Sequence, residues 1–267
     1  MEFNVMTFNL RLDTPEDNGN SWIYRSDKVT ELIRRYNPIV FGTQEALPNM
    51  INDLERGLED YEWLGESRRE NDEYSAIFYK KSVLKPIEQG TFWLSESPDV
   101  PESKSWNSHL PRICTWCLFE SIKDPKKQFY VYNTHLDHIS EQARNEGIRL
   151  IIKRISTSKR LPSILMGDFN ASTDSFIIQY LRNVSERETT KLKDCFSVIK
   201  NPVGTEIGCT FHDFQGDVDG SPIDFIFTTT EFEPVATEII REKIHGGYPS
   251  DHYPILTSLR FAKSAGA

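Results

Sequence analysis

The sequence predicts an α/β (α+β) fold in which two strand–helix–strand halves pack face to face as a β-sandwich flanked by helices. The first observation is a series of short apolar runs bounded by turn residues, which is typical of buried strands. The second is the apolar periodicity of two longer segments, which indicates helices with one buried face. The third is that strand, helix and strand follow one another twice, within residues 3–44 and again within residues 129–166.

The first half begins with a strand at residues 3–10 and a helix at residues 26–36. In that helix Val29, Leu32 and Ile33 lie on one face with Tyr36, and Pro38 ends it. A second helix is expected near residues 48–58. Further apolar runs predict strands at residues 39–44, 62–66, 73–80, 84–94, 112–122 and 129–134.

The second half contains a longer helix that Ser140 can cap and that runs to about residue 155. Its apolar face consists of isoleucines at positions 148, 151, 152 and 155. The remaining expected elements are a strand at 164–166, a short helix near 175–183 and strands at 209–214, 223–228 and 253–260. Residues 1–262 are expected to form one domain, followed by a flexible tail at 263–267.

Charge argues against one class of protein, and hydropathy excludes another. The formal net charge of −9 argues against non-specific nucleic-acid binding, which needs a basic surface. The short basic pairs Arg34-Arg35, Arg68-Arg69 and Lys126-Lys127 are interpreted as solvated surface residues. No apolar stretch reaches the roughly 18 residues of a membrane span. The first residues enter a strand directly, without the basic region of a signal peptide, so a cytoplasmic location is expected.

Two of the four cysteines, Cys114 and Cys117, form a C-x-x-C pattern that could indicate zinc or redox chemistry. Their segment has the pattern of a strand, in which positions three apart face opposite sides. A second C-x-x-C pattern to complete a zinc site is missing from the sequence. Free thiols in a reducing compartment are therefore the favoured interpretation.

Polar residues end several of the predicted strands, where open sheets place their functional sites. In Gly167-Asp168-Phe169-Asn170, the carboxylate could position or deprotonate a water molecule, and the carboxamide could orient a phosphate. The alternative is a simple turn, because Asp and Asn are common turn residues. Glu45 closes another buried strand and is a candidate magnesium ligand, with Asn9 and Asp251 as companions. Its alternative role is a charge near a helix N-terminus.

A histidine–carboxylate pair is predicted near the C-terminus. Asp224 begins an apolar strand, where an unpaired charge would be costly. A hydrogen bond from His252 to Asp224 would hold the imidazole in one tautomer and let it stabilise a developing oxyanion. A purely structural His–Asp bond is the alternative. His135 and Arg112 could bind phosphate oxygens, although isolated residues of these types are more often structural.

The long loop at residues 95–111 is expected to contribute to specificity, because long loops in compact domains are often functional. Candidate substrate-binding residues are Lys104, Trp106 and His109 in this loop and His212 elsewhere. Each of them could equally be a packed or solvated loop residue.

Six segments that carry these residues occur in a characteristic order: Thr7-Phe8-Asn9, Gln44-Glu45, Asn133-Thr134-His135-Leu136, Gly167-Asp168-Phe169-Asn170, Ile223-Asp224-Phe225-Ile226 and Ser250-Asp251-His252. As a set they resemble the motifs of the endonuclease/exonuclease/phosphatase superfamily, over about residues 3–260. The resemblance implies a four-layer α/β/β/α sandwich of two mixed β-sheets flanked by helices. It also implies hydrolysis of phosphoesters with Mg²⁺ or Mn²⁺.

The resemblance further implies a role for each motif residue. Glu45 would be the chief metal ligand with Asn9 nearby, and Asp251 would support the metal or His252. Asp168 would activate water, and Asn170 would orient water and phosphate. The remaining implied catalytic residues are His252 with Asp224 for the transition state, His135 for a phosphate oxygen, and Glu73 to orient His135.

Three functions remain open at this point. A hydrolase of small phosphate monoesters or diesters is favoured by the acidic charge and compact length. A nuclease acting on DNA or RNA is the alternative, and a non-catalytic binding module on the same fold is a remote third. Residues 90–95, 103–106 and 110–116 resemble a bacterial subgroup of the superfamily whose substrates are poorly defined. We infer no obligate protein partner and no membrane association.

Overall fold

Residues 2–183 and 191–262 are described by the computed structural model, so the expected flexible tail at residues 263–267 lies outside the described residues. The strands are β1 (Glu2–Asn9), β2 (Val40–Gln44), β3 (Tyr61–Leu64), β4 (Ile77–Lys80), β5 (Leu84–Trp93), β6 (Ile113–Ser121), β7 (Asp124–His135), β8 (Ser163–Asp168), β9 (Leu192–Asp194), β10 (Asp224–Thr229), β11 (Phe232–Ile239) and β12 (Ile255–Phe261). The α-helices are α1 (Ser26–Tyr36), α2 (Pro48–Gly57), α3 (Glu141–Thr157) and α4 (Phe176–Asn183).

The strands form two mixed sheets of six strands each. Sheet one has the order β11-β12-β1-β2-β4-β3, and sheet two has the order β5-β6-β7-β8-β10-β9. The apolar faces of α1 and α2 pack with Met6, Phe41 and Phe78 of sheet one. The isoleucine face of α3 and the buried residues of α4 belong to the core that includes sheet two. The predicted four-layer α/β/β/α sandwich is confirmed.

The two strand–helix–strand halves have the same local construction. β1 and β2 are parallel and joined through α1, while β7 and β8 are parallel and joined through α3. Parallel neighbours need such a crossover, because a short hairpin can join only antiparallel strands. The register pairs Asn9 with Gln44 in sheet one and His135 with Asp168 in sheet two. The polar residues predicted to end these strands therefore stand beside one another in pairs.

The sheets pack on each other through apolar side chains and a buried amide network. Phe3 of β1 stacks on Phe129 of β7 with ring centroids 5.9 Å apart. Asn133 of β7 donates to the carbonyl oxygens of Thr43 and Ala76 and accepts from the Gln44 side chain. Gly42 leaves room for this amide, because a Cβ at position 42 would lie 2.5 Å from Asn133 Cγ.

Three sequence expectations need correction. Residues 209–214 do not form a strand: Phe211 makes one isolated bridge with His252, and left-handed backbone at Asp213 and Phe214 ends the extended conformation. The expected strand at 73–80 begins only at Ile77. Before it, Tyr74 pairs with Ala46 and Ser67 in isolated β-bridges that do not extend into a strand. β9 and β11 are additional elements; β11 is an edge strand with an irregular register, which obscures its alternation.

The cysteines match the expectation of free thiols. All four cysteines are free and buried, Cys114 and Cys117 among them. Burial raises the pKa of both of these thiols, which disfavours the thiolate that zinc would bind. Among the described helices, none has the length and apolar character needed to cross a membrane.

Candidate active site

The predicted site residues converge at one end of the sandwich. Asn9 ends β1, and Glu45 follows the last residue of β2. His135 ends β7, and Asp168 ends β8. Because the two parallel pairs have their carboxyl ends at the same edge, four chain segments far apart in sequence deliver their polar side chains to one place.

Asn9 connects the two sheets at this edge. Its Nδ2 donates to Glu45 Oε1 and to Asp168 Oδ2, both at 2.9 Å. Its Oδ1 accepts from the backbone N–H of Arg11, so the amide orientation is determined by three hydrogen bonds. The other Glu45 oxygen accepts from the backbone N–H of Leu12 at 3.0 Å. Asn9 thus keeps two carboxylates close together without a positive charge between them.

Asp168 lies at the centre of the cluster and is 1% exposed. Its Oδ1 accepts from the Asn170 N–H at 2.8 Å. Its Oδ2 is 3.5 Å from His135 Nε2 and 3.9 Å from His252 Nε2. Burial and the Asp224 carboxylate raise the pKa of Asp168 to about 7, while His252 acts in the opposite direction. One oxygen of the Asp168 carboxylate therefore lies within 4 Å of both imidazole rings.

Gly167 allows the strand to bring Asp168 into this position. Its φ is +148°, a conformation that residues with a Cβ rarely adopt. A Cβ there would lie 1.9 Å from the Thr134 carbonyl oxygen of the neighbouring strand. The glycine before Asp168 is thus required by the close approach of the neighbouring backbone.

His252 and Asp224 form the predicted pair. His252 Nδ1 lies 2.8 Å from Asp224 Oδ2, and both side chains are buried. Burial opposes a positive charge on His252, but the carboxylates of Asp224, Asp168 and Asp251 outweigh it and raise the His252 pKa to about 10. With an imidazolium that donates from both nitrogens, Nε2–H is available for a developing negative charge.

His135 has the opposite character. Burial lowers its pKa well below the usual value, and the charges of Arg112 and Arg68 add to this effect. Its Nδ1 lies 3.8 Å from Glu73 Oε2, which is longer than a hydrogen bond, so the orienting role of Glu73 stays a prediction. Burial raises the pKa of Glu73 to about 7, although the Arg68 charge opposes this. A neutral imidazole and an imidazolium therefore flank Asp168.

Arg68 shows that one interpretation of the basic pairs is wrong. The side chain is buried, and it pairs with Asp72 at 2.9 Å and with Glu73 at 2.7 Å. Arg69 next to it is half exposed, as expected. The sequence contains a signal for this burial, because Asp72 and Glu73 follow Arg68 by four and five residues. A turn between them can bring both carboxylates next to the guanidinium.

Arg25 is a buried cation that no sequence motif singles out. Only 1% of it is exposed, and it donates to the carbonyl oxygens of Asn20, Leu10, Arg11 and Pro249. These bonds tie the segment after β1 to the segment that carries Asp251 and His252. Ser250 adds a second tie, since its Oγ donates to the Asn9 carbonyl oxygen at 2.7 Å.

Among residues 2–183 and 191–262, two groups of side chains bring ligand atoms close enough to hold a metal ion. The first contains Glu45, His135 and Asp168, and the second contains Asp168, Asp224 and His252, in each case with ligand atoms within 4.8 Å of one another. The first group fits a divalent cation, because two nearby carboxylates have no cationic side chain between them. In the second group, His252 Nδ1 is bonded to Asp224 Oδ2.

Asp251, the third predicted metal ligand, lies outside both groups. Burial raises its pKa, and the nearby Glu45 charge contributes to the shift, so the two carboxylates share one region. Its Oδ1 accepts from Ser250 Oγ at 3.2 Å, and its Oδ2 is 3.8 Å from Arg11 Nε. The role of Asp251 as ligand or support stays a prediction.

The predicted substrate-binding residues occupy different surroundings. Arg112 is buried and donates to His138 Nδ1 at 2.9 Å. Lys104 is exposed and donates to the His109 carbonyl oxygen, while the half-buried Trp106 receives a bond from Ser140 at its carbonyl oxygen. These three remain predicted substrate-binding residues.

His212, the fourth predicted substrate-binding residue, is packed into the protein. Its ring stacks on Tyr253 with centroids 3.8 Å apart and also contacts the ring of Tyr248. Burial lowers the His212 pKa to about 4, and the charge of His252 contributes to this shift. Its Nδ1 accepts from the Gly216 N–H at 3.3 Å. This geometry holds the segment around Phe211, and its role in substrate binding stays a prediction.

Comparison with protein families gives a direct match. The model of the Endonuclease/Exonuclease/phosphatase family matches residues 6–252, which include every residue of the cluster around Asp168. The chain belongs to this family. The prediction that the chain is a phosphoester hydrolase is confirmed. Its metal preference and its substrate stay predictions. A search of curated proteins found no match to this chain.

Solved structures of similar proteins share both fold and sequence. A family member from Bacteroides vulgatus is 31% identical, with a TM-score of 0.88 and coverage of 98% of this chain and 100% of that chain. A mannosyl-6-phosphatase from Bacteroides thetaiotaomicron is 30% identical, with a TM-score of 0.86 and coverage of 97% and 100%. D. rerio TDP2 with a single-strand DNA product is only 17% identical (TM-score 0.74, coverage 97% and 99%) and shows the shared fold alone.

Proposed function

We propose that this chain hydrolyses small phosphate esters, monoesters or small diesters, by in-line attack of water, and that it depends on Mg²⁺ or Mn²⁺. The observation that carries the proposal is the position of Asp168. Its carboxylate is within 4 Å of two histidines and is tied through Asn9 to Glu45. A proton acceptor, a proton donor and a cation site thus meet around one point.

Asp168 is the proposed general base. It is held by hydrogen bonds from Asn9 and from the Asn170 backbone, so its oxygens are aimed before substrate arrives. The Asn170 side chain donates to the Leu136 carbonyl oxygen at 3.0 Å, which fixes the amide beside the base. We assign to Asn170 the orientation of water and phosphate. Positioning of this kind lowers the barrier because water and phosphorus meet in a reactive geometry.

The two histidines are proposed to meet the charge that develops on the phosphate. His252, held by Asp224, presents a protonated nitrogen, which a negatively charged transition state binds more strongly than the ground state. His135 donates to a phosphate oxygen, with Glu73 orienting its ring. Both contributions come from groups that are already in place, so little reorganisation is needed during reaction.

Glu45 is the proposed main ligand of the divalent cation, with Asn9 and Asp251 beside it, in the cluster that also contains Asp168. When bound, Mg²⁺ or Mn²⁺ would polarise the phosphoryl oxygen and stabilise the leaving group. We propose that residues 1–262 act as one domain, since the site combines Asn9 with His252.

A small substrate is favoured over nucleic acid for two reasons. The net charge of −9 does not favour a polyanion, whose binding depends on many cationic contacts. The similar mannosyl-6-phosphatase acts on a small phosphorylated sugar, as its name states. The four free cysteines fit a reducing compartment, and we propose a cytoplasmic location on that basis.

One substrate panel tests the proposal. Hexose phosphates, inositol phosphates, nucleotides, abasic DNA and single-stranded DNA and RNA are incubated with Mg²⁺, with Mn²⁺ and with EDTA. We expect phosphate release from small monoesters with a divalent cation and none in EDTA. Preferential cleavage of DNA or RNA, with binding that weakens steeply with salt, would establish the nuclease alternative. Absence of turnover on every phosphoester would establish a binding module instead.

A further inference from the structure

An exposed aromatic ring stands beside the proposed catalytic histidine. Phe211 is 45% exposed, and its ring centroid is 5.2 Å from that of His252, with an angle of 60° between the planes. A single exposed apolar side chain is common on protein surfaces, but this one is in contact with a residue of the proposed site. Phe211 is therefore a candidate contact for the group that the phosphate carries.

The segment around Phe211 is held in place from both sides. The His212 N–H donates to the Asp251 carbonyl oxygen at 2.8 Å, and the His212 ring is stacked on Tyr253. On the other side, Thr210 is buried and its Oγ accepts from the backbone N–H groups of Ile223 and Asp224. The exposure of Phe211 is thus a property of an anchored segment.

A polar group with a defined donor lies in the segment that follows His135. Arg112 Nη2 is 2.9 Å from His138 Nδ1, and arginine can only donate, so Nδ1 accepts and the proton of a neutral ring lies on Nε2. His138 is exposed, and its ring meets the edge of His109 at 5.0 Å. Asp137 holds both segments, because it accepts from the backbone N–H groups of His109 and Ser140.

Each of these two groups is connected to one of the histidines beside Asp168. Phe211 contacts His252, whose Nε2 is 3.9 Å from Asp168 Oδ2. His138 follows His135 in the same segment, and His135 Nε2 is 3.5 Å from the same oxygen. A phosphate bound at Asp168 would therefore have an exposed apolar ring beside one histidine and a neutral hydrogen-bond donor in the segment of the other.

We propose that Phe211 and His138 determine substrate specificity and that the group they recognise is the ring of a sugar monophosphate. An aromatic ring can cover the C–H face of a sugar, and an imidazole N–H can bind its hydroxyl oxygens. This inference rests on the proposed phosphoester hydrolysis and names its substrate class.

The test compares two substrates that share the phosphate and differ in the ring. Steady-state constants are measured for mannose 6-phosphate and for ethyl phosphate, with AMP as a third substrate that has a base. In Phe211→Ala and in His138→Ala we expect kcat/KM for the sugar phosphate to fall about tenfold or more, mainly through KM. The decrease for ethyl phosphate should be several-fold smaller, and Phe211→Tyr should restore the sugar preference.

Matched controls use residues of the same types elsewhere on the surface. Phe176 on α4 is 47% exposed, and His245 is exposed and paired with Glu31 of α1. Phe176→Ala and His245→Ala should leave all three substrates unchanged. Equal losses for sugar and ethyl phosphate in the Phe211 and His138 variants would overturn the inference, as would a wild-type preference for AMP. If the wild-type protein releases phosphate from none of the esters, both the proposed function and this inference are wrong. If it is active but the variants show equal losses, only the inference is wrong.

Discussion

Asn9 Nδ2 lies 2.9 Å from Asp168 Oδ2, so a single buried amide joins the end of sheet one to the proposed base on sheet two. The same nitrogen is bonded to Glu45, the proposed metal ligand. A shift of one sheet relative to the other would break the bond to Asp168, whereas the bond to Glu45 lies within sheet one. The geometry of the site therefore depends on how the two sheets pack. A substitution that moves the sheets is expected to change the position of Asp168 as well.

Asp168→Asn should remove most of the activity while preserving the fold. An amide cannot accept a proton from water as a carboxylate can, so we expect kcat to fall on the order of 10²–10⁴-fold. Turnover is measured on the best substrate of the panel, and folding is checked by circular dichroism. Asp174→Asn, which changes an exposed carboxylate on the following segment, is the matched control and should keep full activity. Near wild-type turnover in Asp168→Asn would sink the assignment of the base.

Asp224→Asn should change the pH dependence of stability. The folded pKa of His252 is raised to about 10 from 6.5, despite burial, chiefly by Asp224. Its contribution to stability is therefore complete below pH 6.5, declines above that and is lost as the pH rises through about 10. The free energy of unfolding is measured in urea between pH 6 and 10 with EDTA present. We expect the gap between wild type and Asp224→Asn to narrow as the pH rises; a constant gap would contradict the pairing.

Gly42→Ala should destabilise the interface between the sheets. The new methyl carbon would lie 2.5 Å from Asn133 Cγ, so either the amide network or the strands must move. Overpacking of this kind costs about 1–3 kcal/mol in the free energy of unfolding. Gly19→Ala is the control, because a Cβ at Gly19 meets no atom within 4 Å. Equal stability of the two variants in urea denaturation would show that the Asn133 amide yields freely.

Asp137→Asn should loosen the loop that carries His109 and His138 and alter stability at acid pH. Burial opposes the charge of Asp137, but hydrogen bonds from Ser140 and Ser108 outweigh it and lower the pKa to about 2 from 3.8. The stability that this carboxylate supplies is complete above pH 3.8 and is lost as the pH falls through about 2. We expect a deficit of about 1–3 kcal/mol at neutral pH.

The Asp137 prediction is checked by urea unfolding of wild type and variant from pH 7 down to pH 2. The difference between the two free energies of unfolding should shrink below pH 4. Glu141→Gln, on an exposed residue at the start of α3, controls for the general effect of losing one negative charge. A deficit that stays constant down to pH 2 would mean that the charge of Asp137 contributes nothing to the loop.

Much of the fold could be predicted because local patterns specify it. α1 has the predicted bounds, since its apolar spacing and Pro38 are both local features. Pairing of His135 with Asp168 follows from two parallel strands joined by a helix. The segment at residues 209–214 could not be predicted correctly from its own residues, because their pattern is typical of a strand. A hydrogen bond from the His212 N–H to the Asp251 carbonyl oxygen, which is a tertiary contact, holds the segment in turns.

The sequence by itself determined the strand-ending carboxylates and histidines, the family and the class of reaction, because each motif is local and their order is specific. The tertiary structure decided which groups are neutral and which are charged. His135 and His252 flank the same carboxylate, yet burial lowers the pKa of the first and Asp224 raises that of the second. It also revealed the buried bonds of Arg25 and Arg68 and the exposure of Phe211. Burial and the proximity of distant charges depend on how the whole chain packs, and no single segment encodes them.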